Sequence, residues 1–517
     1  MLDRLFGKNV HAAIHTVAIG GVVAGVPFNK IMMSLSMMLM VLNLLLEGKF
    51  KKYWANLSSN RIYHLIFIFF LIHVIGLLWT TDMNYAIRDL NGKLPLLVIP
   101  TILTAKPVNS KKQMHLILAL FVGSSVLLSA INFVCYQHLI GDIIYDDIRG
   151  MSLFGSHIRF GIILAMSCGI LLYFMKNKLA SMLVLTILFG WLSFYTFYSQ
   201  VLSGIATWIA ILTTFIIYYS YKRKPILTLT GLGIFIVSTL LILVWLFNPM
   251  TLDLKKYQNL DAYTTEGNPY EHSIDLITVE TGEPMHIYIC HKELSRDWPK
   301  YSNIPYYDHD VKGQPMQHTL LRYLSSKGLR KDAEGLAQLT QEDIRNVENG
   351  IATSINTGLM ARLYSIKHQL INEDDPNGHS LLERLEYWRA GIQIAKENLL
   401  YGVGTGDVQQ AFNSQYKVNQ TQLQEDNWNR AHNMFLTMFI TFGIIGGLYF
   451  VFFHLYYLVK NLQSDQIIPV LFMALILTSY LVEDTLETQT AVTFFALFYG
   501  LFCSQIRTIE EENNPLP

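Results

Sequence analysis

Apolar residues gather into twelve runs along the chain, at 10–26, 28–46, 62–80, 93–105, 113–137, 157–175, 180–198, 201–220, 225–247, 431–459, 466–482 and 487–505. Most are long enough, as helices, to cross a hydrocarbon core of about 30 Å. The shortest, "KLPLLVIPTILTA", holds Pro95 and Pro100 and predicts a broken or tilted helix. The first run, "MLDRLFGKNVHAAIHTVAIGGVVAG", has the loose form of a signal peptide. A second apolar run follows within a few residues, so the pattern predicts an uncleaved first helix instead.

Charge then orients the helices. If the N-terminus is cytoplasmic, that side collects Arg4, Lys8, Lys49, Lys51, Lys52, Arg61, Lys106, Lys111, Lys112, Lys176, Lys178, Lys222, Arg223, Lys224, Lys460 and Arg507. The short outer loops hold only Lys30, Arg88, Lys93 and Arg149. Short loops rich in Lys and Arg stay inside, so both termini are expected there. The division is then 1–247 for helices one to nine, 248–430 for a large outer domain, 431–506 for helices ten to twelve, and 507–517 for a cytoplasmic tail.

The outer stretch also reads as mainly helical. Thr340 opens "QEDIRNVEN" as an N-cap and Gly350 closes it. "SLLERLEYWRAGIQIAKEN" begins with a Ser380–Glu383 capping box and predicts an apolar face of Leu385, Trp388, Ile392 and Ala395. The expected fold is therefore an all-α polytopic membrane protein of about twelve transmembrane helices, with one large, mainly helical domain between the ninth and tenth. Composition agrees: 51% of residues are hydrophobic and 15% charged, against about 25% charged in soluble domains. A formal net charge of zero gives no reason to expect nucleic acid. The four cysteines are scattered and form no readable disulfide or metal pattern.

Candidate chemistry lies where polar residues meet helix mouths. His432, in "RAHNMFLTMF", stands where the large domain re-enters the membrane. The positive end of a helix disfavours imidazolium, so a neutral general base is one reading. An interfacial residue bonded to headgroups is the other. Arg384 lies one helical turn before Trp388 and suits phosphate through its planar fork, or else it solvates an outer face. His157 and Arg159 open the sixth helix, where a cation either serves function or snorkels to the interface. Three other features point to bland roles. Asp308–Asp310 ("DHD") lacks a surrounding nucleotide-binding pattern, "GVGTGD" lacks the lysine of a phosphate loop, and His73 reads as a packing residue.

"RLEYWRAGIQIAKENLLYGVGTGDV" followed, after a polar gap, by "AHNMFLTMFITFGIIGGLYF" resembles the O-antigen ligase and O-antigen polymerase superfamily, in the form found in Bacteroidota. Twelve helices with one large loop before the histidine resemble the ligase branch more than the polymerase branch. The resemblance implies a bacterial inner-membrane glycosyltransferase with its large loop in the periplasm. It would move a glycan from undecaprenyl diphosphate to a hydroxyl acceptor, lipid A–core for ligases, with neither metal nor cofactor. By the same resemblance His432 is the base and Arg384 a diphosphate ligand. The Ser-Arg pair that many members carry falls at "YSQVLSGIATWIA", which has no arginine. Arg159 could replace it, with Arg430 in reserve and Lys93 behind it. A polymerase or a protein O-oligosaccharyltransferase would share this donor. A transporter of lipid-linked glycans is the more distant alternative, because no charged residues lie deep within several helices.

Overall fold

The computed structural model describes residues 10–108, 110–141, 148–221, 225–248, 252, 254–311, 313–355, 358–372, 376, 377 and 379–513. Among the orienting cations, Arg4, Lys8, Lys222, Arg223 and Lys224 lie outside the described residues, as does the side chain of Arg507.

The helices before the large loop are α1 (Val10–Phe28), α2 (Lys30–Glu47), α3 (Phe50–Ser58), α4 (Arg61–Ile75), α5 (Met83–Ala105) and α6 (Lys111–Tyr136). They continue as α7 (His157–Lys176), α8 (Met182–Tyr198), α9 (Leu202–Tyr221) and α10 (Pro225–Phe247). Within the loop come β1 (Glu271–Ile277), β2 (Pro284–Ile289), α11 (His291–Asp297), α12 (Met316–Ser326), α13 (Ala333–Ala337), α14 (Gln341–Glu348) and α15 (Gly358–Asn372). The last helices are α16 (Ser380–Glu397), α17 (Val408–Val418), α18 (Met434–Gln463), α19 (Ile467–Tyr480) and α20 (Gln489–Asn513).

Each apolar run of the sequence coincides with a helix. Among the described residues, seven helices are long and apolar enough to cross a membrane by length and composition: α1, α2, α4 extended to Trp79, α6, α7, α9 and α18. Met182–Tyr198, Ile467–Tyr480 and Gln489–Cys503 are shorter apolar helices. The chain is mostly helical, in keeping with an all-α, membrane-embedded protein. One expectation is corrected. The proline-bearing run is neither short nor broken, because α5 starts ten residues earlier, at Met83, where the Asp82 carboxylate caps the Tyr85 N–H at 2.9 Å.

The chain divides into two compact units, 1–232 with 383–517, and 233–382. In the first, α5 packs along α20, α1 against α2, and α9 against both α7 and α19. A smaller core joins α16, α17 and α18 through Tyr387, Ile394, Phe412, Tyr416 and Ile440, all buried. Each such aromatic or aliphatic side chain contributes about 1.5–3 kcal/mol when fully removed from water. The second unit has its own core around Trp298, Leu320, Leu324 and Val347. It also carries an antiparallel β1–β2 hairpin that helical periodicity had not predicted. Thr340 caps α14 as expected, through a reciprocal capping box with Asp343.

The structure turns α16 relative to its predicted face. Tyr387, Ala390, Gly391 and Ile394 are buried, while Leu385 and Ile392 are exposed. Ser380 is its first helical residue rather than the residue before it.

Candidate active site

The Arg-x-x-x-Trp stretch of α16 and the histidine before α18 are far apart in the chain and meet in the structure. The Trp388 indole N–H donates to the Ala431 carbonyl at 2.8 Å, which ties the residue before His432 to α16. Tyr387, buried beside it, sets its ring 5.7 Å from the His432 imidazole and donates its hydroxyl to the Asn427 carbonyl at 3.0 Å. Arg384, one turn earlier than Trp388, is half-buried near the same histidine.

His432 itself is not part of the helix. α18 starts at Met434 with Asn433 as N-cap, its side chain accepting from the Leu436 N–H at 3.1 Å. His432 has φ +45°, a left-handed conformation uncommon outside glycine, asparagine, aspartate and histidine. Asp484, from the connection between α19 and α20, holds it there. Its carboxylate accepts the His432 N–H at 3.0 Å, the Asn433 N–H at 3.1 Å and the Thr437 hydroxyl at 2.6 Å. Backbone conformations of this sort persist where their surroundings over-determine them, and they concentrate at functional sites.

The next carboxylate along that connection faces the ring. His432 Nδ1 lies 3.6 Å from Glu483 Oε2, an ion-pair separation slightly longer than a hydrogen bond. Burial alone would lower the imidazole pKa. Glu483, and secondarily Asp484, reverse that and raise it above the ordinary value, with the Arg384 charge opposing them. These two carboxylates oppose the influence of the helix N-terminus, which taken alone favours the neutral ring. For Glu483, burial alone would raise the carboxyl. The histidine, then Arg159 and Arg384, bring it below its usual range. His432, Glu483, Arg159 and Arg384 thus share one electrostatic neighbourhood. Nε2 of His432 has no hydrogen-bond partner among the described residues, leaving it free to face a substrate.

Arg159 sits in the first turn of α7 and lines a cavity of about 230 Å³ together with Lys30, Asn29, Ser156, Phe160 and Thr490. Among the described residues it forms no ion pair within 4 Å. Arg430 is placed differently. Its guanidinium donates to Glu487 Oε2 at 2.6 Å and to the Tyr85 hydroxyl, and lies over the Tyr85 ring. Glu487 also accepts from Lys93 at 3.0 Å, and Lys93 pairs with Asp89 at 2.6 Å. Arg430 and Lys93 are therefore committed to buried carboxylates. They fit poorly as reserve phosphate ligands, because releasing either would strand a buried charge.

The glycine-rich turn after α16 closes a break in α18. At Gly443 φ is +63° and ψ −163°, a conformation open essentially to glycine alone. The carbonyls this break frees are taken up by the turn: Val403 N–H donates to Ile440 O at 2.9 Å and Gly404 N–H to Thr441 O at 3.0 Å. In return Ile444 N–H donates to Leu399 O at 2.7 Å. At Gly402, with φ +71°, a Cβ would collide with the Thr441 backbone. Asp407 ends the turn by accepting the Thr81 and Asp82 N–H groups, each at 2.8 Å. "GVGTGD" is a docking turn, not a phosphate loop.

The remaining features have structural roles. His73 is buried and bonded to the Phe69 carbonyl at 2.9 Å. Asp310 of "DHD" accepts from Gln314 N at 3.0 Å and from the Thr319 hydroxyl at 2.7 Å, stabilising a turn. No group of three or more metal-capable side chains occurs among the described residues.

Glu483, Asp484 and Glu487 were missed from the sequence. A signal was present: "LVEDTLET" places three acidic residues in a short connection between two apolar runs, and ionisable residues at membrane edges are expensive.

The chain is helical and membrane-embedded, and it brings a histidine–carboxylate pair and two arginines into one electrostatic neighbourhood. Residues 349–451 match the family described as O-Antigen ligase. That stretch holds Arg384, Trp388, the glycine turn, His432 and the Gly443 break, and the match supports the O-antigen ligase superfamily. No curated protein matches the chain.

Proposed function

We propose that the protein is an inverting glycosyltransferase of the ligase type. It would move a glycan from undecaprenyl diphosphate to a hydroxyl acceptor, such as lipid A–core, at the periplasmic face of a bacterial inner membrane. The observation that carries this reading is the grouping of His432, Glu483, Arg384 and Arg159, drawn from four separate segments of the chain. In this reading the acceptor hydroxyl lies against His432 Nε2. Glu483 steadies the Nδ1 side and balances the imidazolium that forms as the proton leaves the hydroxyl. The acceptor oxygen then attacks the anomeric carbon from the face opposite the diphosphate, in a single displacement that inverts that carbon. The bond to the diphosphate breaks, and its developing charge falls to Arg384 and Arg159. Arg430 supports this arrangement through Glu487 rather than by touching the donor.

The test is a transfer assay with labelled undecaprenyl-diphosphate glycan, lipid A–core and purified protein. Label should reach lipid A, and His432→Ala should lower turnover about 10²–10⁴-fold, the usual contribution of a positioned base. Donor binding should be nearly unchanged. Full activity in His432→Ala would remove the histidine from the mechanism. Label passed instead to a second lipid-linked glycan, or to a protein, would redirect the reading to a polymerase or a protein O-oligosaccharyltransferase.

A further inference from the structure

The segment following α16 belongs to the polar loop in sequence, yet it docks on membrane-crossing helices below their ends. Thr405 donates its hydroxyl to the His73 carbonyl at 2.7 Å. His73 lies six residues inside the span Arg61–Trp79, which corresponds to about 9 Å at the helical rise. Along α18 the order of contacts shows the same descent. Trp388 bonds to Ala431, Gly391 approaches Leu436 and Ile440, and Leu399 bonds to Ile444. α16 therefore runs beside the start of α18 and carries its turn down to the Gly443 break.

At the bottom of this descent three consecutive large side chains are exposed: Leu399 at 53%, Leu400 at 58% and Tyr401 at 63%. They continue a surface already formed by spanning helices. The Tyr401 ring lies 6.2 Å from that of Trp79, and Leu78 and Ile445 nearby are also exposed. An apolar patch that continues the lipid-facing surface of spanning helices is matched by hydrocarbon, and tyrosine beside tryptophan suits the membrane interface. The polar backbone of the turn is satisfied by α4 and α18, which is the condition for irregular chain at membrane depth.

We propose that Leu399–Tyr401 is a re-entrant tip inserted into the lipid leaflet, anchoring α16 against the membrane. Its occupant is lipid acyl chain. If the glycosyltransferase reading is right, the tip holds Arg384 and Trp388 in register with the leaflet that delivers a lipid-borne donor.

Spin labels would test this in the full chain, with Cys135, Cys168, Cys290 and Cys503 replaced by alanine. Leu400→Cys and Tyr401→Cys would be labelled and reconstituted into phosphatidylethanolamine–phosphatidylglycerol vesicles. Ile445→Cys serves as the lipid-facing control and Glu342→Cys, exposed on α14, as the aqueous control. Collisions with oxygen should dominate at 400 and 401, as at 445, with little access to a water-soluble nickel chelate. Nickel access equal to that at 342 would overturn the proposal. So would dipolar broadening between labels at 400, which would indicate that a second copy covers the tip. These readings need no glycan, so their failure is distinct from failure of the transfer assay.

Discussion

The eight residues between α19 and α20 carry two carboxylates in contrasting settings. At one end Glu487 is closed in: Lys93, fully buried, and Arg430, mostly buried, donate to it at 3.0 and 2.6 Å. At the other end Glu483 is held near His432 at 3.6 Å, and Arg159 stands by a cavity without an ion pair within 4 Å among the described residues. The first arrangement has its charges matched within hydrogen-bond distance, so it can only hold. The second leaves Arg159 without an ion pair and Nε2 of His432 without a hydrogen bond among the described residues, which suits the proposed roles of meeting an anion and taking a proton. Equal residue types a few positions apart thus divide into a clamp and a site, and the division follows how completely each charge is answered.

The sharpest way to separate the two ends is to neutralise each carboxylate. Glu487→Gln should destabilise the protein by about 3–5 kcal/mol, the cost of leaving buried charges uncompensated. Thermal unfolding in detergent would show it. Unchanged stability would mean that the Lys93–Glu487–Arg430 cluster is not a clamp. A comparison of arginines gives a smaller effect. Arg159→Ala should weaken donor affinity by about 1.5–3 kcal/mol, the range for a charged hydrogen bond, with stability nearly unchanged. Arg430→Ala should show the reverse, losing stability first.

The pH dependence refines the contrast further. With its pKa raised, His432 stays protonated to a higher pH than a free imidazole, whose value is about 6.5. Rate should therefore climb only above that value. The histidine's contribution to stability runs the opposite way: while Glu483 stays ionised it is present in full below about 6.5 and is lost as pH rises through the folded value. Glu483→Gln removes the main raising influence, so the acid limb of kcat/KM should move to lower pH. An unmoved limb would show that Glu483 does not govern the histidine. The smallest expected effect is from metal removal. With two arginines to meet the leaving diphosphate, transfer should persist in EDTA, and a collapse reversed by magnesium would contradict that assignment.

Much of this was legible in the chain itself. Helix positions followed from apolar runs, because a segment that cannot leave its backbone unsatisfied in lipid must be helical over a set length. The proximity of Arg384 and Trp388 followed from four-residue spacing, and His432 stood out as an ionisable residue at a helix mouth. The rotation of α16 was not legible. Leu385 and Ile392 looked like its buried face, but Gly391 allows α18 to approach on the other side, and an apolar residue facing lipid reads the same as one facing protein.

What the sequence by itself determined is the set of local properties: which segments are apolar enough to be embedded, where glycine permits a break, and which residue types can move a proton or meet a phosphate. What only the tertiary structure decided is pairing. Arg430 and Arg159 are the same side chain in sequence. One is spent on Glu487 and Tyr85, 57 and 345 residues away in the chain, and the other is left beside a cavity. Charge acts through distance in space, and the order of residues along the chain does not contain that distance.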